Sequence, residues 1–171
     1  MKVSTLGDSG VGKSSFISRL CEDKFTDRYK ASIGTDFSTK QVFTKNKRKL
    51  ETELTLQVWD TAGRERSSIY MFLRNSDALL IIYDVTNPRS FDNVVTYYQE
   101  IKNVSFTSPP CISLVGTKID QTDSREISTQ RGLQLASELG CGYYEVSSKS
   151  ALNIKVTMQD IVDKIFTDRI K

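Results

Sequence analysis

Apolar residues are arranged along this chain in two alternating ways: short runs that alternate or are wholly apolar, and longer stretches in which they recur every three or four positions. Lys2-Val3-Ser4-Thr5-Leu6 reads as a first strand, and further strands are expected near 36–45, 52–60, 78–84, 111–117 and 143–147. Ala78 to Tyr83 is apolar enough to be a buried strand. Helices are expected near 13–21, 65–74, 90–104, 128–139 and 154–169. Ser128 is a plausible N-cap for the fourth and Gly140 its stop. In the last helix Ile154, Met158, Ile161, Val162, Ile165 and Phe166 form a helical stripe that reads as core packing. Strands and helices alternating in this way predict one doubly wound α/β domain over 1–171. Its six-stranded sheet should be mostly parallel, flanked by helices, with the hairpin strand antiparallel at the edge. Repeats and low-complexity linkers are absent from the sequence.

The polar positions between these elements carry the chemistry. Gly7-Asp8-Ser9-Gly10-Val11-Gly12-Lys13-Ser14 fits a phosphate-binding pattern of glycines, a lysine and a hydroxyl residue at fixed spacing, set between a strand and a helix start. Glycines let successive N–H groups turn inward as a nest, and the following helix adds the positive end of its dipole. The segment from Asp8 to Ser15 is thus the candidate cradle: Asp8, Ser9, Gly10, Val11, Gly12, Lys13, Ser14 and Ser15. Lys13 would reach β- and γ-phosphates, and the Ser14 hydroxyl would bind Mg²⁺. Trp59-Asp60-Thr61-Ala62-Gly63 follows a strand, so Asp60 stands where an outer-shell Mg²⁺ ligand belongs and the Gly63 N–H can approach a γ-phosphate. Gly116-Thr117-Lys118-Ile119-Asp120 and Ser147-Ser148-Lys149 also follow strands. All these motifs therefore meet at the carboxyl rim of the sheet, where open α/β sheets bind ligands.

In order and spacing, across nearly all 171 residues, these motifs resemble those of the Ras-like small GTPases. Ile33-Gly34-Thr35-Asp36-Phe37, Leu56-Gln57-Val58-Trp59-Asp60 and Ile82-Tyr83-Asp84-Val85-Thr86 are most similar to the Rab, or vesicle-trafficking, branch. The resemblance implies the P-loop G-domain fold, GTP and GDP as ligands with Mg²⁺, and GTP hydrolysis. It assigns the reading of guanine to Asp120, with the Lys118 stem along the base, Thr117 in the same element and Ser147-Ser148-Lys149 at the guanine oxygen. Phe25 matches the aromatic that packs on the edge of the base. Tyr29 to Phe37 and Ala62 to Arg74 match the loops that order around a γ-phosphate, and Phe37, Trp59 and Phe72 match the aromatic triad shown to effectors.

Departures from the family pattern matter as much. Ser32 stands where the family has the threonine that binds Mg²⁺ and meets the γ-phosphate, so the oxygen is kept but the β-branched stiffness is lost. Arg64 stands where the family's glutamine orients the attacking water. Arginine has only donors and cannot accept a hydrogen bond from that water. Three roles compete for Arg64: a damaged catalytic position with slow hydrolysis, a built-in cation for transition-state charge, or a surface residue of the loop. The first is favoured, because the water-positioning acceptor is missing. Thr117 replaces an asparagine usual in Rabs, with base binding expected to survive. Ser67 replaces a frequent phenylalanine, and the stretch from Arg66 to Arg74 looks shorter than the Rab pattern. The hairpin carrying Lys45, Lys47, Arg48 and Lys49 looks longer and reads as a solvated turn.

Composition changes little in this picture. With 38% hydrophobic and 26% charged residues and a formal net charge of +3, the chain is ordinary for a globular domain and too mildly basic to argue for nucleic acid. Cys21, Cys111 and Cys141 lack metal-ligand spacing and read as reduced thiols of a cytoplasmic protein, and without histidine zinc chemistry has little support. No secretory leader or membrane-spanning run is visible, and Lys2 does not fit N-myristoylation. Rabs are prenylated at C-terminal cysteines, whereas this sequence ends at Lys171. Three expectations stay open: a tail outside this sequence, one module of a longer chain, or a protein without a lipid anchor. With a prenylated tail the protein would sit peripherally on vesicle or endomembrane surfaces.

Overall fold

The computed structural model describes residues 1–27, 36–45, 51–60 and 72–169. Six strands, β1 (Lys2–Leu6), β2 (Asp36–Lys45), β3 (Glu51–Asp60), β4 (Ala78–Asp84), β5 (Cys111–Thr117) and β6 (Gly142–Glu145), form one sheet in the order β2-β3-β1-β4-β5-β6. Among the described residues only the β2–β3 pair is antiparallel; β1 pairs in parallel with β3 and β4, and β5 with β4 and β6. The expected fold class is therefore the observed one.

β4 shows why the sheet is covered on both faces. All its residues are buried: Ala78, Leu80 and Ile82 join one apolar cluster, and Leu79, Ile81 and Tyr83 join the other. That split is the period-2 alternation of a strand with two buried faces. The first cluster packs under helices α1 (Lys13–Glu22) and α5 (Ile154–Arg169), through Phe16, Ile17, Leu20, Ile154, Met158 and Ile161. The second packs under α2 (Pro88–Asp92), α3 (Val94–Lys102) and α4 (Thr129–Leu139), through Phe91, Val94, Ile101 and Ala136. Fully burying each such aliphatic side chain contributes about 1.5–3 kcal/mol, so both helix layers are held by the same strand.

The helix expected near 90–104 begins earlier and is divided. The Asn87 side chain accepts from the Ser90 N–H and Pro88 opens α2, so the helix starts at Pro88. Asn93 separates α2 from α3, while its own N–H still bonds to the Arg89 carbonyl. Ser128 caps α4 by accepting from the Arg131 N–H, and Gly140 ends it in the left-handed region at φ 66°. The stretch expected as a helix at 65–74 lies mostly outside the described residues, as do Lys47, Arg48, Lys49 and Ser67. Among the described residues no helix is long and apolar enough to cross a membrane.

Candidate functional site

The phosphate loop leaves β1 through Gly7, whose φ of 141° and closeness to β4 leave no room for a side chain. A Cβ there would lie 2.1 Å from the Ile82 carbonyl oxygen. Gly12, at φ 102°, is the N-cap of α1; no side chain caps this helix and its first turn holds no acidic residue. No acidic residue of the helix's first turn thus competes with an incoming anion for the positive end of its dipole. Lys13 is buried at 6% exposure, and its ammonium donates to the carbonyls of Gly7 and Asp8, both at 2.8 Å. Burial pushes its pKa below the usual lysine value, with Asp60 and Asp8 partly opposing that shift. Ser9, Gly10 and Ser14 are exposed, Ser15 is half-buried, and Val11 is packed into the core.

Ser14 Oγ donates to Asp60 Oδ2 at 2.5 Å, joining the start of α1 to the end of β3. A hydroxyl and a carboxylate oxygen brought together beside a phosphate loop are the hard donors that Mg²⁺ takes alongside phosphate oxygens, so the residues present fit that ion.

The elements expected on the base side converge from β5 and β6. Ser147 Oγ donates to Asp120 Oδ1 at 2.5 Å and accepts from the Ser150 N–H at 3.1 Å, so one buried hydroxyl aligns an exposed carboxylate. Arg19 of α1 ties the same loop down, donating from Nε to the Ser148 carbonyl at 2.8 Å and from Nη2 to that of Lys149 at 3.4 Å. Lys118 adopts the left-handed region at φ 62°, uncommon for a residue with a Cβ. Its ammonium pairs with Asp84 Oδ2 at 2.5 Å, while the Thr86 N–H and hydroxyl occupy Asp84 Oδ1 at 2.9 and 2.7 Å. Thr117 is 2% exposed and directs its hydroxyl to the carbonyls of Val11 and Tyr83, at 2.5 and 2.9 Å. It acts as a strut between β5 and the phosphate loop, and its side chain does not face an open pocket. Arg125 is paired with Glu145 through both terminal guanidinium nitrogens, Nη1 and Nη2, and donates from Nε to the Ile127 carbonyl at 2.7 Å, bracing the loop that carries Asp120 against β6.

Of the other expected residues, Phe25 is half-buried just beyond α1. Ser32, Gly63 and Arg64 lie outside the described residues. Phe37, Trp59 and Phe72 do form a contiguous row, with ring centroids 4.8 Å and 6.3 Å apart and Phe37 47% exposed. The sequence reading missed Asp84, Arg19 and the α3 residues that reach Asp8. Asp84 alone left a trace, as a carboxylate at a strand's carboxyl end.

A P-loop whose phosphate, Mg²⁺-type and base-side groups share one rim of this sheet defines a nucleotide-binding G domain. Comparison with known proteins agrees: the sequence profile described as the Ras family matches residues 2–167. The chain is 39% identical over 166 residues to Ras-related protein Rab-3C of Bos taurus, an alignment covering 96% of this chain and 70% of that protein. It is 37% identical to Ras-related protein Rab-3A of Homo sapiens and to Ras-related protein Rab-3 of Caenorhabditis elegans, covering 96% of this chain and 73% of each. The chain belongs to the Ras family of small GTPases, in its Rab branch.

Proposed function

We propose that this small GTPase is a Mg²⁺-dependent GTP/GDP switch in vesicle trafficking, reading guanine through Asp120 and hydrolysing GTP slowly. The observation that supports it most is the 2.5 Å approach of Ser14 Oγ to Asp60 Oδ2 beside the buried Lys13 ammonium. Bound Mg²⁺ would neutralise charge on the β- and γ-phosphate oxygens. Lys13 and the loop N–H groups hold the phosphates, and Ser14, Ser32 and Asp60 hold the ion directly or through water. Asp120, steadied by Ser147, accepts from the guanine edge, and Lys118 lies along the base, with Phe25 and Lys149 beside it. The loops 29–37 and 62–74 order around the γ-phosphate, and the Phe37, Trp59 and Phe72 row presents one face to effectors. A cytoplasmic protein of this kind is peripheral on endomembranes when a prenylated tail accompanies it.

Arg64 favours a second reading, a nucleotide-binding scaffold with negligible hydrolysis and little switching, because the residue cannot accept a hydrogen bond from the attacking water. Single-turnover hydrolysis separates the two: measurable conversion of bound GTP supports the switch, and none supports the scaffold. Identifying the nucleotide that co-purifies, with GTP and ATP in competition and Mg²⁺ chelated by EDTA, tests the rest. Equal retention of ATP and GTP, or release unaffected by EDTA, would remove the basis for both readings.

A further inference from the structure

The carboxylate of Asp8 lies inside the phosphate loop, where a negative charge is adverse to a phosphate, and the structure shows where it goes. Asp8 Oδ2 accepts from Asn93 Nδ2 at 2.7 Å, and Asp8 Oδ1 accepts from the Tyr97 hydroxyl at 2.9 Å. Both donors stand on α3 or at its start, four residues apart, and therefore on one face of the helix. Asn93 makes no side-chain cap to its own helix; its amide is spent on the loop instead. Tyr97 is 9% exposed, and its hydroxyl bond to Asp8 is partly buried. The residue before Asp8 is Gly7, fixed against Ile82, and the Asp8 carbonyl receives the Lys13 ammonium. One residue thus links the active lysine to a helix on the other side of the sheet.

We propose that Asn93 and Tyr97 are positioning residues for nucleotide binding: by holding the Asp8 carboxylate against α3, they fix the register of the phosphate loop and turn its charge away from the bound phosphates. The proposal rests on the guanine-nucleotide reading above. Hydrogen bonds to a carboxylate are among the stronger neutral-donor bonds, so losing the Tyr97 hydroxyl should speed nucleotide release by about fivefold to tenfold.

The test measures release of a fluorescent GDP analogue from the Mg²⁺-loaded chain. Tyr97→Phe keeps the ring and removes only the hydroxyl. Tyr98→Phe is the control, because the Tyr98 hydroxyl donates to the Leu139 carbonyl at 2.7 Å on the same helix without touching the loop. Faster release in Tyr97→Phe but not in Tyr98→Phe is expected. In a cycle with Asp8→Asn, the Tyr97→Phe effect should shrink once the carboxylate charge is gone. Unchanged release in Tyr97→Phe, equal acceleration in Tyr98→Phe, or strict additivity with Asp8→Asn would overturn the proposal while leaving the nucleotide reading intact. A wild type that binds no guanine nucleotide would sink both. If Tyr97→Phe does not fold, Asn93→Ser removes the other donor and is held to the same outcomes.

Discussion

Thr117 offers a sharp quantitative test, because a single hydroxyl spans the two halves of the site. It is buried, carries one proton, and lies 2.5 Å from the Val11 carbonyl and 2.9 Å from that of Tyr83. Valine has nearly the same shape, so Thr117→Val leaves packing intact and turns a methyl toward the Val11 carbonyl. A buried acceptor deprived of its donor costs about 1–3 kcal/mol. In a domain of this size each kcal/mol lowers Tm by about 2–4 °C, so a fall of about 2–12 °C is expected. Val11 is in the phosphate loop, so part of the loss should also appear as nucleotide release, faster by about tenfold if about 1.4 kcal/mol falls on the bound state. Melting must be followed at one fixed excess of GDP, since ligand binding itself raises Tm. Thr117→Ser, which keeps the hydroxyl, should recover most of the release rate. A Thr117→Val protein that melts within about 1 °C of wild type and releases GDP at the same rate would refute the strut.

Other outcomes follow from the same geometry. Asp120→Asn exchanges an acceptor for a donor on the base side and should weaken GTP while favouring xanthosine triphosphate, read by competition binding; unchanged GTP affinity would refute the base-reading role. Arg64→Gln should raise single-turnover hydrolysis several-fold from a wild-type rate below about 10⁻⁴ s⁻¹, and Arg64→Ala should change it little. A fast wild type crippled by Arg64→Ala would promote Arg64 to a catalytic cation. Burial, only partly offset by the hydrogen bond with Tyr143, pushes the Tyr83 phenol up to about 12, and burial with bonds to Glu145 and Tyr83 raises that of Tyr143. A pKa raised in the folded state gives stability that is full below the ordinary tyrosine value near 10 and lost as pH climbs through about 12. Phenolate absorbance at pH near 11 should therefore fall short of all seven tyrosines until the chain unfolds. Complete ionisation of the folded chain at that pH would contradict the burial of Tyr83 and its bond with Tyr143.

Local pattern was enough for most of the fold. The alternating and wholly apolar runs placed β1 and β4 within a residue of where they stand, because a strand's periodicity is visible in the strand itself. The start of α2 was equally legible in Asn87-Pro88, an N-cap followed by proline, but the apolar spacing drew attention further along. Motif spacing likewise brought Lys13, Ser14, Asp60, Asp120 and Ser147 to one rim. What could not be read were contacts made only by docking. Asp8 meets Asn93 and Tyr97 across separations of 85 and 89 residues, and Arg19 meets Ser148 across 129. No local periodicity encodes such pairs. Thr117 shows a subtler limit: its position at the end of β5 is legible in the sequence, but the direction of its buried hydroxyl, toward the Val11 carbonyl of the loop, is not.

The sheet order has a consequence for how this protein comes into being. The groups proposed to hold phosphate issue from β1 and β3, whereas those proposed to read the base issue from β5 and β6, on the far side of β4. During synthesis the glycine-rich loop emerges first, but Asp120 has no Ser147 to align it until β6 has been made. A ribosome-stalled fragment ending before β6 therefore carries the loop without the bond from Ser147 to Asp120. On the proposed guanine-nucleotide site, a bound nucleotide would clasp early and late parts of the polypeptide and favour, by mass action, the fold that includes β6 over fragments that lack it.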